Sequence, residues 1–255
     1  MEKENVDFRR VLATPQSTGP VLRAAVEQIE RALKFALPGQ GFEDIFSMAA
    51  KKSHLGAAID YITDALRGTL QHQGIHGEKR LWSLESFAHP ELSDDLTSVD
   101  LTDFIHKSER GLRGLVPEGL EFLVTTSSFL GTVSTDPAQL SFALTELVLN
   151  AVQFAKPDAK IKVVGGGFSL SGTANCYNVP GAEYCGFTVS NGTHVDGVDL
   201  SLTRPFVTHS SEHHSLGLGL FACDQFLKKS GGYLRILPHM QTHSLDFYVL
   251  LRSAL

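Results

Sequence analysis

Thr145-Glu146-Leu147-Val148-Leu149-Asn150-Ala151 is the stretch on which the reading of this chain turns. It sits inside an apolar series, Leu140, Ala143, Leu144, Leu147, Ala151 and Phe154, whose spacing predicts a helix over 137–155 with one buried side. Asp136-Pro137 opens that helix, since aspartate caps free amides and proline fits the first turn. Glu146 and Asn150 stand four residues apart, so both leave the same face. One supplies a carboxylate and the other an amide oxygen, a pair suited to a magnesium-nucleotide site because Mg²⁺ takes hard oxygen ligands and keeps phosphates and waters in its shell.

Working outward, the pattern on either side is α/β. Strands are expected at 121–126, 160–164 and 184–190, the last two joined by a glycine-rich stretch, then a helix over 217–229 ending at Ser230-Gly231-Gly232, and closing strands at 233–237 and 245–251. Between them lie Arg204-Pro205-Phe206-Val207-Thr208-His209-Ser210 and Ser215-Leu216-Gly217-Leu218-Gly219-Leu220-Phe221-Ala222. Two glycines opening a helix let backbone approach a phosphate chain, whose charge the free amides of the first turn can hold.

Before residue 75 the sequence reads as helix. Leu22, Val26, Ile29, Leu33 and Ala36 line one face until Pro38-Gly39. Ile45, Met48, Leu55, Ile59, Ile62 and Leu66 continue a three-four series interrupted by Lys52. Together they predict a helical hairpin over 1–75, and such a seam is covered economically by a second copy, giving a four-helix bundle homodimer; the alternative is packing on the rest of the chain. Residues 76–98, with Pro90 and a polar Ser-Asp-Asp-Leu-Thr-Ser run, read as a linker to a domain over 99–255. The expected fold class is α+β.

The order of these elements resembles the ATP-binding domain of sensor histidine kinases and their relatives, the gyrase, Hsp90, histidine kinase and MutL ATPase superfamily. It runs from Asp136-Pro137 and Glu146-Leu-x-x-Asn150-Ala through Ser190-Asn191-Gly192, Pro205-Phe206-x-Thr208 and Gly217-Leu-Gly219-Leu to Gly231-Gly232 and two strands. The resemblance covers 99–255 and implies an α/β sandwich of the histidine-kinase ATPase (Bergerat) type, with ATP and Mg²⁺ as cofactors. It implies Asn150 as the Mg²⁺ ligand, Glu146 as the catalytic carboxylate, and Asn191, Gly192, Gly217 and Gly219 as nucleotide-binding residues, with Phe206 in the aromatic box. It extends more loosely to the hairpin, as a dimerisation and phosphotransfer domain that docks a response-regulator receiver domain.

The sequence departs from the family pattern at two places. The first glycine box, Asp-x-Gly-x-Gly in the family, reads Ser190-Asn191-Gly192-Thr193-His194, so an amide oxygen replaces the aspartate that accepts from adenine, and only Asp196-Gly197 could stand for its second glycine. Ser215 replaces the first glycine of the later box. The first helix holds no histidine, Pro15 standing where one would fall; His54 on the second helix is the substitute phosphoacceptor, to be weighed against an ordinary solvent-facing histidine.

Other features are bland by comparison. His209, Glu212, His213 and His214 allow a metal site but fit a solvated loop better. Cys176, Cys185 and Cys223 are an odd set without metal spacing and read as reduced thiols. A chain of 255 residues with 42% apolar residues and net charge −6 supports a large core and gives no general attraction for nucleic acid. No long apolar run and no signal-like start point to a cytoplasmic protein without a membrane partner. Two functions are therefore expected in competition: two-component signalling with a phosphoryl group moved from ATP to histidine or a partner, or an inactive or phosphotransfer adaptor that keeps the kinase fold.

Overall fold

The computed structural model describes residues 19–36, 39–89, 96–127, 130–168, 183–192, 203, 216–239 and 244–253. They form two compact units, one of residues 1–92 with 201–222 and the other of residues 93–200 with 223–255.

The first unit is helical. Helix α1 (Gly19–Ala36) buries Leu22, Val26, Ile29 and Leu33 on the stripe its sequence spacing predicts. The expected second helix is two: α2 (Glu43–Ala49) and α3 (Leu55–Gln71). The seam is interrupted where Lys51-Lys52-Ser53 offers nothing apolar to bury, and His54, in extended conformation, caps α3. Met48, expected on the seam, is 45% exposed, while Phe42 and Phe46 fill the core with an edge-on ring contact at 6.3 Å.

Residues expected to be linker are instead helix α4 (Ile75–Ala88), which buries Leu81, Trp82, Leu84 and Phe87. The glycines that suggested a linker make the tight return between α3 and α4. Gly74 has φ +60, and a Cβ on Gly77 would lie 1.6 Å from the carbonyl oxygen of Leu70. The rest of the expected linker, residues 90–95, lies outside the described residues.

This changes the premise for dimerisation. Leu55, Ile59, Ile62 and Leu66 are at most 1% exposed within a single chain. The apolar seam is closed by α4 and by Leu216, Leu218 and Phe221 of the same unit, which share one core cluster with the helices.

The second unit is α/β. Strand β1 (Thr97–Asp100) pairs antiparallel with β3 (Thr132–Thr135), and α5 (Leu101–Arg113) lies between them in sequence, capped by Asp100 on the amide of Asp103. Strand β2 (Glu121–Thr126) runs parallel to β4 (Lys160–Phe168); β5 (Tyr184–Gly192), β7 (Ser244–Arg252) and β6 (Tyr233–His239) complete the sheet in the order β2-β4-β5-β7-β6. Val163, Val189, Phe247 and Ile236 stand in register across one face. Helix α6 (Pro137–Gln153) contributes Leu140, Ala143, Leu144, Leu147, Val148 and Ala151, all 0% exposed, to the same unit's interior. The other face carries a smaller cluster of Phe168, Tyr184, Tyr248 and Leu250.

Helix α7 (Gly219–Lys229) ends as the sequence predicts: Gly231 takes φ +68, and the amide of Gly232 donates to Leu227 at 2.7 Å. The boundary between the two units falls inside α7, after Ala222. Among the described residues, no helix is long and apolar enough to cross a membrane.

Candidate functional site

Asp136 and Pro137 start α6 as expected, the carboxylate accepting from the amides of Ala138 at 2.8 Å and Gln139 at 3.1 Å. Two and a half turns on, Glu146 is only 3% exposed despite being a carboxylic acid, and Asn150 one turn later is half-buried. Their side chains meet, Asn150 Nδ2 donating to Glu146 Oε1 at 2.9 Å. A carboxylate can only accept, so this bond fixes the amide's orientation and leaves Asn150 Oδ1 as the atom available to a cation.

Asn191, at the end of β5, is brought to the same helix. Its Nδ2 donates to the carbonyl oxygen of Ala151 at 2.7 Å, where the helix is ending and the amide of Ala155 turns to Val152 instead. The side chain is 2% exposed, and its Oδ1 is buried with no hydrogen-bond partner among the described residues. A buried acceptor of this kind is costly when left unmade, and it is what a donor from a bound group would satisfy. Sequence reasoning located Asn191 but not the carbonyl that orients it, because Ala151 contributes only backbone.

Gly192 is adjacent, its carbonyl accepting from the amide of Lys156 at 2.9 Å. A Cβ there would make ordinary contact with Ala159 at 3.6 Å, so nothing among the described residues demands glycine at this position. Glu146, Asn150, Asn191 and Gly192 are thus together in the second unit.

Gly217 and Gly219 belong to the first unit. Gly217 is buried with φ +66, a conformation that favours glycine, and Gly219 is the first residue of α7. Their neighbours are committed to the helical core: Leu216 is 5%, Leu218 0% and Phe221 7% exposed, and the rings of Phe221 and Phe87 lie 5.4 Å apart.

His54 is not on a helix face. It is the N-cap of α3, and its Nδ1 accepts from the amide of Ala57 at 3.1 Å. In the neutral ring the accepting nitrogen holds the only nucleophilic lone pair, so the cap occupies the atom that phosphotransfer needs.

Phe206, Asp196-Gly197, Cys176 and the cluster His209, Glu212, His213 and His214 lie outside the described residues. Among the described residues, no group of three or more His, Cys, Asp or Glu side chains is arranged to hold a metal ion.

No family model and no curated protein matches the sequence. Solved structures do match. Full-length ShkA in complex with AMPPNP aligns over 98% of this chain and 47% of its own, with TM-score 0.54 and 16% identity; this chain thus spans about half of ShkA. The Acinetobacter baumannii histidine kinase AdeS aligns over 92% and 98%, with TM-score 0.50 and 12% identity. The nucleotide-free catalytic domain of histidine kinase ThkA aligns over 62% and 98%, with TM-score 0.48 and 18% identity. Identities this low speak to the fold. The chain has the ATPase-type fold of histidine kinases, with a helical region ahead of the α/β domain.

Proposed function

We propose that the chain is a two-component signal transduction protein that holds ATP with Mg²⁺ in its α/β unit and moves a phosphoryl group to histidine or to a partner. The observation that carries this reading is the cluster on α6 and β5. Asn150 is held by Glu146 with its oxygen left for a cation, and Asn191 is held by Ala151 with a buried oxygen left for a donor. Both orientations fit the ligand set: an amide oxygen for Mg²⁺ and an acceptor for an exocyclic amine. Asn150 would hold the ion, which when bound neutralises phosphate charge. Glu146 orients Asn150 and provides the buried carboxylate beside it. Gly217 and Gly219 enter this proposal through the sequence resemblance alone.

Supporting the nucleotide reading, the structural neighbour ShkA was solved with AMPPNP. Calorimetric titration with Mg-ATP tests it. Binding should weaken in Asn150→Ala and Asn191→Ala by the worth of a lost buried hydrogen bond, about 1–3 kcal/mol or roughly 5- to 150-fold. No binding at millimolar Mg-ATP sinks this reading.

One observation favours a second reading, an adaptor that keeps the kinase fold to dock a response-regulator receiver domain. The segment bearing Gly217 and Gly219 is tied into the helical core by Leu216, Leu218 and Phe221. Such a protein binds its partner equally with and without ATP, and an ATP-dependent change in partner affinity counts against it. Homodimerisation would need a surface other than the expected seam, and light scattering decides it.

A further inference from the structure

The five-stranded sheet has two unlike edges. At the β2 edge Arg113 of α5 donates to the carbonyl of Phe122 at 3.3 Å and lies over its ring, 5.5 Å from the centroid. At the other edge, among the described residues, β6 pairs with β7 alone, from Tyr233 with Leu250 to His239 with Ser244. The backbone groups on its outer side have no strand to bond, and such an edge is a template for an added one. Pro238 blunts one end of β6, but Tyr233–Leu237 contains no proline and Arg235 as its one charge.

Alternation along β6 sorts its side chains. Ile236 is buried on one face, while Tyr233, 41% exposed, Arg235, exposed, and Leu237, half-buried, share the other. Tyr233 is accessible yet held in place, its ring 5.7 Å from that of Tyr184 in an edge-on contact. Arg252, also exposed, hydrogen-bonds the Tyr184 hydroxyl from β7. Arg235 makes no ion pair among the described residues. The acids nearby stand back from the edge: Asp246 on β7 accepts from the Tyr248 hydroxyl at 3.3 Å, and Glu183 precedes β5.

An added strand lies about 4.8 Å beyond β6, so it meets Tyr233, Arg235 and Leu237 first. Tyrosine and arginine are the side chains that most often anchor an interface. Charge selects the occupant. A second copy of β6 brings a second Arg235 to the same short edge and no carboxylate, whereas an acidic chain supplies the missing partner.

We propose that β6 is a docking edge for an extended acidic segment of a partner protein, bonded main chain to main chain along Tyr233–Leu237 with a carboxylate on Arg235. The surface belongs to the sheet alone and does not depend on nucleotide.

The test uses the full chain and a fluorescein-labelled peptide, Thr-Glu-Val-Asp-Val-Glu-Thr, beside a counterpart with lysine at each acidic position. By fluorescence anisotropy the acidic peptide should bind at least tenfold more tightly than the lysine peptide. Arg235→Glu should reverse that preference, a readout that mere destabilisation does not produce. N-methylation of every second peptide amide should abolish binding in one phase of the alternation and spare it in the other, as strand pairing requires. Hydrogen exchange should slow at least tenfold within β6 on binding and stay unchanged in β2. Equal affinity for the two peptides, a preference that survives Arg235→Glu, or protection confined to other segments overturns the proposal. Protection of β6 that rises with protein concentration in the absence of peptide assigns the edge to a second copy and overturns it too.

Discussion

Asn191→Asp returns the aspartate that the first glycine box of the resembling family carries, and the geometry around it predicts a loss of stability. The parent amide donates to Ala151 at 2.7 Å from a side chain 2% exposed. An ionised carboxylate there has no proton to donate and faces the carbonyl oxygen instead, so burial and repulsion both favour the neutral acid. The protonated acid can restore the donation, so at low pH the variant should lie within about 1 kcal/mol of the parent. A carboxyl whose protonation equilibrium is displaced by about 10²- to 10³-fold costs about 3–4 kcal/mol once the unfolded chain is ionised. The folded-state value is raised, so stability is full below the ordinary aspartate range and falls as pH rises until the folded group itself ionises. Urea unfolding of parent and variant at about pH 3 and pH 7.5 measures this, read as the difference between the two proteins at each pH. A pH-independent difference, or a variant as stable as the parent at neutral pH, refutes the claim that the Ala151 carbonyl fixes the amide.

Gly77→Ala should destabilise the helical unit by about 3 kcal/mol, because the new methyl would meet the Leu70 carbonyl and α3 and α4 must separate; the urea midpoint reads it. Phe221→Ala should cost about 3–5 kcal/mol by emptying its place beside Phe87, whereas Met48→Ala, at an exposed position, should change little. Asp136→Ala should cost about 1 kcal/mol through loss of the cap on α6, and Asp136→Asn should recover most of it.

The α/β half was legible because its signals are local. Asp136-Pro137 and the glycines after α7 mark helix ends, and strict alternation at Leu245, Phe247, Val249 and Leu251 marks a strand, although the expected half-burial gives way to burial on both faces because Tyr248 and Leu250 are covered as well. The short β1 and β3 were missed: four residues each, they are defined by pairing with each other rather than by a pattern of their own. Helix α5 also escaped notice, although Asp100 and the four-residue pairs Asp103–Lys107 and Glu109–Arg113 signal it. The helical half misled because a three-four series does not record whether a turn interrupts it, and because the close contact that needs Gly77 looks like a linker in sequence.

The site divides in the same way. Glu146 and Asn150 meet because helical spacing puts them together, whereas the bond from Asn191 to Ala151 joins residues 40 positions apart and carries no sequence signature.

The boundary inside α7 has a practical consequence for dissecting the molecule. A fragment starting at Ser93 would keep the whole α/β unit but would also carry Leu216, Leu218 and Phe221, whose burial depends on helices it no longer has. Those three side chains would become a hydrophobic tab on an otherwise folded domain, prone to self-association. Conversely, the helices expressed alone would lose part of their own core. Of the boundaries between the two units, the one after Ala222 falls within α7, so a cut made there divides a helix rather than a loop.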